Sequence, residues 1–150
     1  MRLRHVLGAC TLALLATSCS LGDSTDAGSI NLYIDVSDSQ LTVGQEVVTF
    51  TVTARNVGYD PLTFTGPGGC LLYLEIYDSS GSLVWSSTGS CQPGTVTEEL
   101  AAGQDKVQSI EWDGRNTAGA FLAPGLYLVR PVARTTGTAT IGPPLTVALD

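Results

Sequence analysis

The chain carries one histidine, one methionine and, among its seven basic residues, a single lysine. The histidine is His5, close to the N-terminus, so the rest of the chain has no imidazole. Ser-His-Asp and Cys-His nucleophilic machinery therefore lacks its base, and histidine-based zinc or copper sites lack their ligand. The lysine, Lys106, follows a turn and starts a strand-like run, a solvated position rather than the buried one a Ser-Lys pair needs. Paired carboxylates, the minimum for glycoside hydrolysis, are also missing in usable form. Glu98 and Glu99 are adjacent in a strand-like run and point to opposite faces, while Asp113 belongs to a turn. No glycine-rich stretch follows a strand and opens a helix, which removes phosphate-cradling loops. With fourteen acidic residues against seven basic ones and a formal charge of −7, no basic patch exists for nucleic acid. No enzyme, no cofactor and no metal are expected. The oxygens of Asp113-Gly114-Arg115-Asn116-Thr117 lack EF-hand spacing, and Arg115 opposes a cation.

The N-terminus has a recognisable layout. Arg2 and Arg4 precede an apolar run from Val6 to Leu15 and then small residues, the order of a secretory signal peptide. The run is too short to span a bilayer. Its end, Leu15-Ala16-Thr17-Ser18-Cys19, resembles a bacterial lipobox, in which the cysteine becomes the acylated first residue. The reading is a lipoprotein signal at 1–18, with lipidation at Cys19; ordinary cleavage after Ser18 is the alternative. Residues 19–29 are small and polar and read as a flexible tether, with a reach of roughly 15–20 Å. An exported protein, lipid-anchored in the cell envelope, is expected. Because the body is acidic, attachment to the membrane would come from the acyl chains alone. Cys10 leaves with the signal, so outside the reducing cytosol the two remaining cysteines, Cys70 and Cys91, are expected to form a structural disulfide.

Residues 30–150 read as one domain. Seventeen glycines, seven prolines and many Thr, Ser and Val favour turns and strands over helices. "INLYIDV" (30–36), "VVTFTVTARN" (47–56), "LLYLEIYD" (71–78) and "KVQSIEW" (106–112) alternate apolar and polar residues with period two. "PLTFT" (61–65), "SLVWSS" (82–87), "GLYLVRPVART" (125–135) and "PLTVAL" (144–149) are further candidates, and "TVTEEL" (95–100) is a weaker one. Asp78-Ser79-Ser80-Gly81 makes a hairpin turn. Turn signals recur about every ten residues, and no helical 3.6 repeat of any length appears. The expectation is an all-β, Ig-like antiparallel sandwich of about eight or nine short strands.

The stretch "WDGRNTAGAFLAPGLYLV" (112–129) reads as a strand, a compact capping loop and a returning strand. Trp112 and Tyr127 are expected to pack, with Ala118, Ala120, Phe121 and Leu122 covering the open end of the sandwich. The same stretch carries a resemblance. With Asn56, Leu62, Phe64, Asp78, Gly81, Val84, Trp85, Leu100 and Gly103, it resembles the pattern of the intracellular proteinase inhibitor (BsuPI) family. The remaining anchors are Trp112, Asp113, Gly114, Gly119, Pro124, Gly125 and Tyr127, so the pattern covers about residues 41–135. The resemblance implies an Ig-like fold and a binding module that inhibits a serine protease. An envelope lipoprotein whose Ig-like domain serves assembly or adhesion is the other reading. The partner is then a protease or another envelope protein. The candidate binding loops flank the cysteine pair: Gly66, Pro67, Gly68 and Gly69 on one side, Gly89, Ser90, Gln92, Pro93 and Gly94 on the other. They are expected to be exposed, Pro/Gly-rich and cross-linked.

Overall fold

The computed structural model describes residues 29–136 and 138–150. The expected signal peptide, the lipidation site Cys19 and all of the tether but Ser29 lie outside the described residues. Within them the domain is an all-β sandwich of eleven strands. A three-stranded sheet is ordered β1-β3-β8, from Ile30–Val36 (β1), Val48–Asn56 (β3) and Asp105–Trp112 (β8). The second, eight-stranded sheet is built around Gly125–Thr135 (β9). On one side β9 meets Leu72–Tyr77 (β5) and, at one residue, Leu62–Gly68 (β4). On the other it meets Thr138–Ile141 (β10) and Leu145–Leu149 (β11). Leu83–Ser86 (β6) pairs with β5, and Gln92–Leu100 (β7) with β4.

Period-two alternation puts one face of each strand inward. Val48, Phe50, Val52 and Ala54 of β3 are buried, and so are Leu72, Leu74 and Ile76 of β5. They join Phe64, Ile110, Trp112, Val129, Ala133 and Val147 in one core between the sheets. Tyr73 departs from the alternation: it stands on the outer face yet is buried, because the Arg134 side chain lies over its ring.

Two short strands exceed the eight or nine expected. Gln40–Leu41 (β2) pairs parallel with β11, so the chain leaves β1 in one sheet and joins the edge of the other. The second, β10, follows from Pro131. Proline has no N–H for the ladder. The strand beside β9 therefore divides there, β10 pairing above Pro131 and β11 below. Gly142 spans the break, its N–H donating to the Pro131 carbonyl at 2.9 Å. A Cβ at Gly142 would lie 2.6 Å from that of Leu32, so only glycine fits between the sheets at this point.

Candidate interaction surface

Cys70 and Cys91 are bonded, with Cα atoms 5.6 Å apart, inside the usual bridging range. Cys70 lies just before the β5–β6 hairpin, and Cys91 follows the 3-10 turn Ser87–Ser90. Ser86 caps that turn, its Oγ accepting from the Thr88 N–H. The buried Ser87 hydroxyl accepts from the Leu74 N–H at 3.0 Å, extending the hairpin by a side-chain bond. Asp78 closes the other end of the hairpin. Its carboxylate accepts from the Ser80 hydroxyl at 2.6 Å and from the N–H groups of Ser80 and Ser82. The Ser80 hydroxyl bond above all holds its pKa below the ordinary carboxylate value.

The disulfide does bring the two candidate segments together, but most of their residues are not loop. Gly66, Pro67 and Gly68 form the end of β4 and are half-buried or buried, whereas Gln92, Pro93 and Gly94 open β7. Gly66 opposes Val96, Pro67 opposes Thr95 and Gly68 opposes Gln92, so Pro93 and Gly94 bulge out of the ladder. The sequence suggested loops because Gly and Pro usually punctuate; here they sit at the bulged end of the β4–β7 ladder, where proline is tolerated. Gly69, in a turn at φ +75, and the exposed Gly89 and Ser90 of the 3-10 turn lie outside the strands.

Beside this clamp runs an open groove with a cavity volume of about 390 Å³. Trp85 and Ile110 contribute its apolar surface, Cys70 and Ser90 one wall, and Ser109 and Glu111 of β8 the other. The Gln108 side-chain amide bridges the two walls, donating to the Gly69 carbonyl at 2.6 Å. Strand β8 pairs with β3 and with no other described strand. On β3, Thr49 bonds toward Ser37 on the β1 side, whereas Asn56 bonds toward Gln104 on the β8 side. By antiparallel alternation, Val107, Ser109 and Glu111 then turn their backbone N–H and C=O groups to the free edge. That edge borders the groove. Lower down, Lys106 is ion-paired with Glu98 of β7.

Most anchors of the sequence pattern serve the fold. Trp112 is buried between Trp85 and Tyr127, with ring centroids 6.1 and 6.3 Å away, and its Nε1 donates to the Arg115 carbonyl at 2.8 Å. Gly114 takes φ +79 with Leu41 directly beneath it. The Tyr127 hydroxyl donates to the Ala123 carbonyl at 2.8 Å. Asn56 is fully buried: its Nδ2 donates to the carbonyls of Asp60 and Leu100, and its Oδ1 accepts from the Gly58 N–H. The covering role expected of 118–122 falls to Leu122 alone, which packs on the core. Ala118 and Ala120 are exposed, and Phe121 is 47% exposed beneath the Arg115 guanidinium. The bend is structural. Asp113 is engaged with Arg115 at 3.0 Å, and no group of three His, Cys, Asp or Glu side chains among the described residues is arranged to hold a metal.

No family model matches the chain, and no curated protein does. Solved structures do. Spo0M, a sporulation control protein from Bacillus subtilis, is similar at TM-score 0.53 and 11% identity, over 82% of this chain and 50% of that one. A β-glucosidase from Erythrobacter marinus is similar at TM-score 0.51 and 18% identity, over 81% of this chain but 15% of the glucosidase. The CARDB domain of a Pyrococcus furiosus protein, in complex with di-metal ions, is similar at TM-score 0.50 and 14% identity, over 81% of this chain and 87% of that domain. At these identities the likeness is one of fold.

Proposed function

We propose that this is an exported, envelope-anchored binding domain without catalytic activity, which engages a protein partner at its disulfide-clamped end. A serine protease is the partner class implied by the resemblance to BsuPI-type inhibitors. The observation that carries the reading is the free edge of β8 beside the groove floored by Trp85 and Ile110. An unpaired edge offers N–H and C=O groups to an extended chain, and an adjacent groove offers side-chain selectivity. A clamp ordered before docking loses less conformational entropy on binding. Anchoring is assigned to Cys19.

A specific observation supports the other reading, an assembly or adhesion module that inhibits nothing. Six of the nine candidate inhibitory residues lie within strands β4 and β7 rather than on a protruding loop. Titration of the folded domain against a panel of subtilisin-like and trypsin-like proteases separates the two. Loss of protease activity at micromolar domain, abolished by replacing segment 89–94 with its cysteine kept, supports inhibition; an unaffected panel leaves the assembly reading. Anchoring is tested separately: Cys19→Ala is expected to move the protein from membrane to soluble fraction, and continued membrane association refutes the lipid anchor.

A further inference from the structure

The outer face of the β5–β9 pair carries a feature that the groove does not use. Of the five described cations, Arg55, Lys106 and Arg115 are each ion-paired. Arg130 and Arg134 have no carboxylate among the described residues within ion-pair distance. Each instead lies over a tyrosine ring: Arg130 over Tyr77 at 4.7 Å and Arg134 over Tyr73 at 4.8 Å. The two pairs repeat at a four-residue interval along both strands, which spaces the arginines by about 13 Å on one face. Each guanidinium thus lies against a tyrosine and keeps its charge without a carboxylate counter-ion, and the planar fork of an arginine suits a planar carboxylate.

Three further observations point to a ligand at this face. Arg134 opens on a pocket of about 270 Å³ walled by the hydroxyl residues Thr65, Thr135 and Thr138, with Tyr73 and Ala139 completing it. The Arg134 side chain crosses Gly66, where a Cβ would stand 3.0 Å from its Cδ, so β4 carries glycine where the arginine passes. The Arg134 Nε is buried without a hydrogen-bond partner among the described residues. One acid faces the patch. Glu75 lies directly opposite Arg130 and accepts from the Tyr77 hydroxyl at 2.6 Å, so two arginines face one carboxylate here on an acidic protein.

We propose that this duplicated Tyr–Arg face is an anion-binding surface for an acidic, extended peptide segment of a partner, with carboxylates seated at Arg134 and Arg130. An extended chain advances about 13 Å in four residues, so acids four apart along it meet both guanidinium groups. At the Arg134 end the Thr138 hydroxyl, which can accept from Thr135, is left with its own proton for a ligand. This surface is distinct from the β8 edge and stands whether or not the domain inhibits a protease.

The test is a titration of the purified full-length protein with poly-L-glutamate at constant ionic strength, followed by amide shifts. Saturable shifts are expected at Thr65, Tyr73, Thr135 and Thr138. Arg134→Gln and Arg130→Gln each weaken binding at least tenfold, with the unfolding midpoint checked for both. Glu75→Gln tightens binding severalfold, a gain that a damaged fold cannot produce. The proposal is overturned if the shifts do not saturate, if the doubly substituted protein binds as well as the parent, if Glu75→Gln changes nothing, or if inorganic phosphate alone gives the same shifts at the same affinity.

Discussion

Strands β3 and β7 are both nine residues long and both carry threonines, yet they are held by different forces. In β3 every second residue is buried, and the strand is paired on both sides by β1 and β8. In β7 every residue except Leu100 is exposed, and β4 is its one partner among the described strands. Burial stabilises the first; a disulfide, an ion pair and a ladder hold the second. The covalent link therefore sits where apolar area runs out, and that is where the domain can present an ordered surface without a core beneath it.

The difference is tested most severely by truncating the core. Trp112→Ala removes the side chain that joins Trp85 to Tyr127 and should cost about 3–5 kcal/mol in urea denaturation. Val96→Ala in β7 should stay within about 0.5 kcal/mol. Comparable losses from the two substitutions would erase the distinction.

Replacing both Cys70 and Cys91 by serine should cost about 3 kcal/mol on the chain-entropy model. Hydrogen exchange is the sharper readout. Amides of β4 and β7 should lose protection well before those of β3, and equal loss across all three would mean that the ribbon and the core open as one unit.

Asn56 is the joint between the regions, since it ends β3 and holds the carbonyl of Leu100 at the end of β7. Asn56→Ala leaves buried backbone groups without partners and should cost about 2 kcal/mol, measured by thermal and chemical denaturation. A neutral outcome would show that water replaces the amide.

The smallest effect concerns the hairpin turn. The Asp78 pKa is depressed in the folded state, so the ionised form is the stabilising one. That contribution is present above the ordinary value of 3.8 and is lost as pH falls through the lower folded value. Asp78→Asn should flatten the acid limb of the stability curve and leave the neutral region little changed. An unaltered acid limb would mean that the three turn hydrogen bonds do not favour the carboxylate over the amide.

Legibility followed burial. Strand β9 spans the same 125–135 that its apolar and β-branched run suggests, and the alternation of 48–54 names the core residues of β3. The cysteine pair and the Asp78 turn were equally readable, because each rests on local chemistry. Strand β2 was not, since two residues carry no period. Nor was the beginning of β7, where Gln92-Pro93-Gly94 has the composition of a loop and becomes strand by pairing with β4. The Tyr–Arg pairs were invisible for a related reason. Tyr73 and Arg134 are far apart in sequence, and the register of β5 against β9 brings them together.

The residues alone determined the class of the fold, the inward faces of its main strands and the bridged cysteines, because alternation and turn chemistry act over a few neighbouring positions. Which strand edges are left free, where the groove opens and which arginines remain without a carboxylate were decided by tertiary structure. Those properties depend on strand order and register, which emerge when the two sheets close on a common core.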